Sequence, residues 1–296
     1  MKAAPFEYLR ARSLEEVCAR LAELGGEAKL IAGGQSLVPM MAMRLARPAW
    51  LIDINHVAEI KSVVAEADVL AIGAAVRQAT VERDPLARAA VPLLGKALRW
   101  VGHLQTRNRG TLGGSIAHAD PSAEIALVAC VLDATLELRD AAGTNRIAAQ
   151  EMFLAPMVTA ITPEQCLAQI RIPIWKDARV GCAFDETSIR HGDFALASAC
   201  AQIALEADGR CVRAALGIGG AAPVPQALPA IARTLVGTRL AEGDIAAAAA
   251  AAADSIEPDG DLHASADFRR HLARVLLERV LRAARQDALH GSEEAA

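Results

Sequence analysis

Apolar and polar residues alternate along the chain with two different periods, one typical of helices and one of strands. Between Ser13 and Gly25, apolar residues recur every three or four positions, as on one face of a helix. Ser13 and Glu16 have the spacing of a capping box at its start, and Gly25 is a typical end. Helical patterns also cover residues 39–44, 92–101, 125–132, 151–154, 245–253 and 268–285.

Short apolar runs between turn residues predict β-strands. One such run is closed by Pro173, which is the predicted boundary between two units, the second beginning near Trp175. In the second unit, residues 206–210 have a sequence typical of a hairpin turn. The predicted strands cover residues 29–32, 51–54, 69–74, 134–139, 167–173, 194–205 and 212–218.

Composition limits the class of partner and the compartment. Of 296 residues, 53% are hydrophobic and 22% charged, with 31 Lys and Arg against 35 Asp and Glu, so the net charge is −4. That balance, with only 3% aromatic residues, argues against a nucleic-acid partner. The N-terminus lacks the apolar core of a signal peptide, and no apolar stretch is long enough for a membrane span. We therefore expect a cytoplasmic protein.

The six cysteines predict neither a metal site nor a disulfide framework. None forms a Cys-x-x-Cys pair or a zinc-ligand spacing. Several lie in apolar runs, where a cysteine is usually a small core residue, so we expect buried, reduced thiols. The spacing also fits no iron–sulfur cluster. We predict no metal ligand in this chain.

Two glycine pairs carry the clearest chemical signal. The first glycine segment, residues 32–36 (AGGQS), follows a short apolar run, and the second glycine segment, residues 111–115 (TLGGS), precedes an acidic stretch. Adjacent glycines let the backbone approach a ligand closely, and backbone N–H groups can surround a phosphate. A single pair of this kind is more often a plain turn, but two together predict a diphosphate held from two sides. Neither is a P-loop or a Gly-x-Gly-x-x-Gly fingerprint.

Other polar residues leave alternatives open. His118 beside Asp120 could act as a general base or simply form hydrogen bonds within its loop. Asp53, at the end of a predicted strand, could hold a ligand hydroxyl or bond to the backbone. The basic residues of segment 107–109 could form a solvated turn, order the second glycine segment or face a partner. We predict no catalytic side chain, and so little side-chain chemistry indicates a borrowed cofactor.

With both glycine segments considered, the sequence resembles the FAD-binding medium subunit of the molybdenum hydroxylases, the family of xanthine dehydrogenase and carbon monoxide dehydrogenase. The matching pieces run in family order over most of the chain. They are residues 32–40 (AGGQSLVPM), residues 51–54 (LIDI), residues 107–115 (RNRGTLGGS) followed by Asp120-Pro121 and Glu124, and residues 190–195 (RHGDFA).

The resemblance implies a fold, a domain division and a cofactor. The implied fold class is α+β. Residues 1–175 would form a two-part FAD-binding domain of the vanillyl-alcohol-oxidase (PCMH) type. Residues 176–296 would form a smaller α+β domain of the CO-dehydrogenase flavoprotein type, with an antiparallel sheet and C-terminal helices. The implied FAD-binding residues are Ile31, Ala32, Gly33, Gly34, Gln35, Ser36, Leu37, Thr111, Gly113, Gly114, Ser115, Asp120, Glu124, Leu167 and Phe194.

Two positions depart from the family pattern. Xanthine-dehydrogenase-like relatives carry a lysine near the flavin, just after an aromatic residue, whereas here Phe184 is followed by Asp185 and Glu186. The absence of that lysine weighs against NAD among the electron acceptors of the family, which also include a quinone, a cytochrome and oxygen. An aromatic residue that stacks on the flavin in some relatives falls at Val101, so that contact is not carried over either.

The resemblance also implies partners and a reaction. A large subunit with a molybdenum cofactor would hydroxylate an N-heteroaromatic substrate (a purine, for example), an aldehyde or carbon monoxide. A small subunit with two [2Fe–2S] clusters would pass electrons to the FAD of this chain, and from there to an external acceptor. The expected assembly is a dimer of heterotrimers. The alternatives are a self-sufficient FAD oxidoreductase on the same fold and a flavin-free nucleotide-binding or scaffold subunit.

Overall fold

The computed structural model describes residues 2–190 and 192–290. Within them, strands are distributed over the whole chain up to residue 227 and long helices close it. The strands are β1 (Glu7–Arg10), β2 (Ala28–Ile31), β3 (Trp50–Asp53), β4 (Val63–Glu66), β5 (Val69–Gly73), β6 (Thr135–Asp140), β7 (Gly143–Ala148), β8 (Phe153–Ala155), β9 (Val158–Thr159), β10 (Cys166–Pro173), β11 (Val180–Ser188), β12 (Ala195–Leu205), β13 (Cys211–Gly219) and β14 (Gln226–Ala227).

The helices are mostly short in the N-terminal part and long at the C-terminal end. None of those in the described residues is both long and apolar enough to cross a bilayer. They are α1 (Leu14–Leu24), α2 (Leu37–Ala42), α3 (Gln78–Arg83), α4 (Pro85–Ala90), α5 (Pro92–Leu98), α6 (Leu104–Arg109), α7 (Leu112–His118), α8 (Glu124–Val131), α9 (Ala149–Met152), α10 (Pro229–Leu235), α11 (Glu242–Asp254) and α12 (Ala266–His290).

Three larger sheets organise the described chain, beside a two-stranded sheet of β8 and β9. The N-terminal sheet is parallel, with strand order β1-β3-β2. A five-stranded antiparallel sheet follows, in the order β4-β5-β10-β6-β7. The third sheet, β11-β12-β13-β14, is antiparallel and is covered on one face by α12. The predicted α+β fold class, with its smaller antiparallel sheet and C-terminal helix, is confirmed.

The core of the five-stranded sheet is continuous with the third sheet. Helix α8 is apolar on all sides, and every residue from Ile125 to Val131 is buried because the helix packs between the third sheet and helices α5, α7 and α9. Cys182, Phe184 and Cys200 of the third sheet belong to the same apolar cluster as α8. Lys96 reinforces this contact, since its Nζ donates to Cys182 O at 2.6 Å and to Asp287 Oδ2 at 2.8 Å.

Most of the predicted elements are present, with three notable differences. Ser13 caps α1 by accepting from Glu16 N, but the Glu16 carboxylate accepts from Arg12 N rather than from Ser13 N. Residues 112–118, expected to be a loop, form helix α7. Strand β11 was not predicted at all, because its sequence alternates weakly. All six cysteines are buried and free, as predicted.

Gly181→Ala tests the close contact between β11 and α12. A Cβ at Gly181 would lie 2.8 Å from Ala288 Cα and still closer to the backbone atoms Ala284 O and Ala288 N. We expect the variant to lose about 1–3 kcal/mol of unfolding free energy by overpacking, measured by urea denaturation. Gly243→Ala in α11, where a Cβ meets nothing within 4 Å, is the control and should be neutral or stabilising. Equal stability of both variants would contradict this packing.

Candidate flavin-binding site

A cleft of about 770 Å³ runs between the N-terminal sheet and the five-stranded sheet and reaches the start of the third sheet. Its walls come from the ends of strands and the first turns of helices, where backbone groups and short side chains are accessible. All fifteen residues predicted to bind FAD line this one cleft: Ile31, Ala32, Gly33, Gly34, Gln35, Ser36, Leu37, Thr111, Gly113, Gly114, Ser115, Asp120, Glu124, Leu167 and Phe194. Their individual contacts with a ligand stay a prediction.

The first glycine segment leaves β2 and turns into α2. Gly34 has a φ of 70°, a conformation that favours glycine, and Gln35 Nε2 donates to Gly33 O at 3.0 Å to close the turn. Within the described chain, the backbone N–H groups of residues 33–37 donate to no protein acceptor. They line the cleft as a run of free donors. Such a run binds an anion well.

The second glycine segment differs from the prediction, since its glycines lie in the first turn of α7 rather than in a loop. Thr111 is the N-cap and its Oγ1 accepts from Gly114 N at 3.0 Å. Gly113 N donates to Ala74 O at 2.9 Å, at the end of β5. The cap and the neighbouring strand therefore use N–H groups that were expected to face a phosphate. Ser115 remains available on the cleft wall.

The first glycine segment packs directly on the residues that precede the second. A Cβ on Gly33 would lie 2.8 Å from Gly110 Cα and closer still to Arg109 O. Only a glycine allows this backbone contact. The contact brings the two glycine segments to the same end of the cleft, as the diphosphate hypothesis requires.

Three hydrogen-bonded side chains, those of Asp53, Asn55 and Arg77, support this contact, and we call them the brace. Arg77 donates to Arg109 O and, at 2.6 Å, to Asn55 Oδ1. Asn55 Nδ2 donates to Ala32 O at 2.8 Å and to Asp53 Oδ1 at 2.7 Å. The brace therefore joins the first glycine segment to the backbone at residue 109. Sequence reasoning missed Asn55 and Arg77, because no local motif marks either residue.

Asp53 belongs to this brace. Tyr8 Oη donates to its Oδ2 at 2.5 Å and Asn55 N to its Oδ1 at 2.8 Å. Burial alone would raise the pKa of Asp53, but these hydrogen bonds lower it overall. Of the two alternatives, the structure therefore favours a carboxylate that bonds within the chain over one that holds a ligand hydroxyl.

Arg107 of α6 orders the chain, whereas Arg109 of the same helix is exposed. Arg107 is mostly buried and pairs with Glu82, with Nε 2.9 Å from Oε2. Its Nη1 also donates to Val101 O at 3.1 Å and to Gly102 O at 3.2 Å. Among the three alternatives for segment 107–109, the contacts of Arg107 therefore favour an ordering role.

Acidic residues occupy the far side of the cleft. Asp120 Oδ1 accepts from Ser122 N at 2.8 Å, which shapes the turn before α8. Glu124 is the first residue of α8, and burial, with the charge of Asp120 adding to it, raises its pKa to about 7. A neutral Glu124 could donate a hydrogen bond to a ligand. His118 also lines the cleft, but no hydrogen bond joins it to Asp120 in the described chain.

The remaining predicted residues give the cleft apolar surface. Leu167 lies on β10 and is buried, whereas Phe194 directly precedes β12 and is 73% exposed at the mouth. Val101, at the position of an aromatic in some relatives, is also on the wall.

His191, within the matching piece 190–195, lies outside the described residues. Gln78, which was not predicted, lines the cleft with a buried Oε1 that has no partner in the described chain.

The two acids that follow Phe184 lie behind the cleft wall. Asp185 and Glu186 are absent from the residues that line the cleft. Asp185 is 3.8 Å from Arg279 of α12, and Glu186 is buried against α8's side of the sheet. The wall of the cleft therefore has acidic groups behind it.

Comparison with known proteins assigns a class to this fold and site. The FAD binding domain in molybdopterin dehydrogenase matches residues 4–175, and the CO dehydrogenase flavoprotein C-terminal domain matches residues 182–284. The chain is thus the flavoprotein component of a molybdopterin-dependent oxidoreductase.

Similar proteins define the family further. The chain is 37% identical to 6-hydroxypseudooxynicotine dehydrogenase complex subunit alpha of Paenarthrobacter nicotinovorans, covering 95% of each chain. It is 32% identical to the carbon monoxide dehydrogenase medium chain of Hydrogenophaga pseudoflava, covering 94% of this chain and 96% of that one. The structure of quinoline 2-oxidoreductase from Pseudomonas putida 86 superposes with a TM-score of 0.92 at 36% identity, covering 98% of this chain and 100% of that one. The chain belongs to the family of FAD-binding medium subunits of multi-subunit molybdenum hydroxylases.

The predicted cofactor is therefore confirmed as FAD, with molybdenum and iron–sulfur centres in other subunits. The cleft fits it, because the free N–H run of residues 33–37 suits a diphosphate and the apolar wall suits a flavin ring.

Gly33→Ala tests the contact between the glycine segments. The added methyl would push residues 109–110 away and misalign the N–H run, so we expect FAD affinity to fall at least about tenfold, or ~1.4 kcal/mol. Affinity is measured by fluorescence titration of the apoprotein. Gly95→Ala, whose Cβ would meet only Arg88 Cγ at 3.8 Å, is the control and should bind FAD normally. Undiminished binding by Gly33→Ala would show that the contact does not matter.

Asn55→Ala tests the brace. The change removes the bonds to Ala32 O, Asp53 and Arg77 together, so the first glycine segment should lose its fixed position. We expect FAD affinity to fall about tenfold, since a few hydrogen bonds worth ~1 kcal/mol each are lost. Asn145→Ala on the exposed strand β7 is the control. Equal FAD dissociation constants for the two variants would rule out a positioning role for Asn55.

Proposed function

We propose that this chain is the electron-transfer subunit of a heterotrimeric molybdenum hydroxylase. A small partner with two [2Fe–2S] clusters would deliver electrons to the FAD, and a quinone, cytochrome, oxygen or NAD would accept them. A large partner with the molybdenum cofactor would hydroxylate the substrate. The proposal is supported by the family of the chain and by one observation above all: the run of free N–H groups at residues 33–37 inside a cleft of suitable size.

Different groups of cleft residues would bind different parts of FAD. The N–H groups of the first glycine segment and of Leu37 would hold the diphosphate, and Thr111, Gly113, Gly114 and Ser115 would bound it on the other side. Asp120 and Glu124 would bond to polar groups of the flavin or its ribityl chain. Leu167 and Phe194 would exclude water from the ring. Bound FAD supplies electron uptake and release, and no side chain of this chain is proposed as catalytic.

The proposed substrate is an N-heteroaromatic compound, with an aldehyde as the second option. Support comes from the relatives' names, since quinoline is a nitrogen heteroaromatic, although a carbon monoxide enzyme is also among them. The large subunit would make that choice. We further propose a domain division at residue 175, a dimer of heterotrimers and a cytoplasmic location. The family resemblance supports these three proposals.

An absorption spectrum of the protein purified from its host with its partners retained tests the proposal. We expect flavin bands overlaid by broad iron–sulfur absorption, molybdenum by metal analysis and three subunits of different size. Reconstituting the isolated chain is the control, and it should show flavin bands alone. A lone chain that turns over a substrate with its FAD would instead support the self-sufficient oxidoreductase, and a chain that stays colourless with FAD would support a flavin-free subunit.

A further inference from the structure

A buried acid lies where α8 packs on the third sheet. Glu186, Ser198 and Gly219 are directly opposite one another across β11, β12 and β13, so they share one face of the sheet. A Cβ on Gly219 would lie 2.6 Å from Ser198 Oγ and 3.2 Å from Leu127 Cδ2. That face therefore points at α8, and the Glu186 side chain enters the contact between the FAD-binding part and the third sheet.

Glu124 enters the same contact from the other side. It lies one helical turn before Leu127, on the same face of α8. The turn that precedes it is tied to the third sheet, because Gly220 N donates to Pro121 O at 3.0 Å and Ser122 Oγ to Ala195 O at 3.0 Å. The charge that acts most strongly on Glu186 is accordingly that of Glu124.

Within residues 2–190 and 192–290, neither carboxyl forms an ion pair with a cation. Glu186 is only 7% exposed and its Oε2 has no partner in the described chain, and the same holds for Ser198 Oγ at 1% exposure. The other charge that acts on Glu186 is Asp185, whose cation is Arg279. The charges of Asp120 and Arg107 act on Glu124, and Arg107 is paired with Glu82.

A buried carboxyl and a partly buried one in this arrangement do not both ionise readily. Burial, then the charges of Glu124 and Asp185, raises the pKa of Glu186 to about 8. Burial and the charge of Asp120 raise the pKa of Glu124 to about 7. The pair therefore holds at least one proton over most of the neutral range.

We propose that Glu124 and Glu186 form a proton-sharing pair that is coupled to the charge of the flavin in the cleft. Glu124 lines the cleft and Glu186 lies behind it, so negative charge gained by a cleft ligand favours the protonated pair. For each two electrons that the flavin gains, the pair would take up to one proton from solvent onto a carboxylate oxygen. It would return that proton to solvent on reoxidation. This inference rests on the proposed function, since it requires a redox-active ligand in the cleft.

The coupling is reciprocal, because a proton on the pair must favour reduction as much as reduction favours the proton. The midpoint potential of the flavin should therefore fall more steeply with pH wherever the pair titrates. Glu186→Gln keeps the shape of the side chain but cannot ionise, so it should remove the extra slope. Glu186, which lies behind the cleft wall, is a positioning residue in this scheme, whereas Glu124 also lines the cleft. The pH slope is a readout that a merely structural role of either residue would not change.

The first experiment measures that slope on the full chain reconstituted with FAD. Midpoint potentials of wild type, Glu186→Gln, Glu124→Gln and the exposed control Glu206→Gln are titrated from about pH 6 to about pH 9, which spans both pKa values. We expect the midpoint potential to fall more steeply with pH in wild type and Glu206→Gln than in Glu186→Gln and Glu124→Gln. The steeper slope means that more protons are taken up for each two electrons. Identical slopes for all four proteins would overturn the coupling.

A second experiment needs no flavin. An unfolded glutamate titrates near about 4.3, whereas the folded pair titrates near neutrality or above. Between those values the folded apoprotein keeps protons that the unfolded chain has lost, so its stability falls as the pH rises. The melting temperature of the wild-type apoprotein should fall relative to Glu186→Gln and Glu124→Gln from about pH 5 to about pH 9. If the melting temperatures of wild type and both variants changed with pH in parallel, the proton-sharing pair would be ruled out. Failure of the protein to bind FAD would instead rule out the proposed function alone.

Discussion

The cleft depends on one backbone contact, that of Gly33 against Arg109 and Gly110. The two glycine segments come from different sheets, one from the end of β2 and one beside the end of β5. Their contact places the free N–H groups of residues 33–37 and the start of α7 on the wall of one cleft. A side chain at position 33 would keep the two backbones apart, so the geometry of the ligand site requires a glycine there.

The third sheet stabilises this arrangement from outside the glycine segments. Helix α8 is buried on every side, and Cys182, Phe184 and Cys200 complete its packing. A helix with an apolar surface all round needs cover on all sides, so the acidic end of the cleft is fixed only when the third sheet is present. The link from Lys96 to Asp287 and Cys182 adds a polar contact to the same interface. The two parts of the chain therefore act as one support for the cofactor.

Patterns among neighbouring residues correctly predicted the features that depend on interactions between residues close in sequence. The cap at Ser13, the buried run of α8 and the hairpin between β12 and β13 each follow from neighbouring residues, and all three are present. The same reading mistook residues 112–118 for a loop, because two glycines disfavour a helix unless a cap such as Thr111 and a supporting strand compensate. The brace of Asp53, Asn55 and Arg77 joins residues far apart in sequence, and no local pattern could show it.

The charges around the cleft follow from how its cations are used. Arg77 is committed to Asn55 and the backbone at residue 109, and Arg107 to Glu82 and the backbone at residues 101 and 102. Both therefore shape the cleft but have little capacity left to balance charge gained by a ligand. Asp185 and Glu186 lie behind the cleft wall, and an acid can reduce local negative charge only by taking up a proton. If Glu124 and Glu186 share a proton as proposed, proton uptake by the pair would balance charge that no uncommitted arginine of the cleft is placed to balance.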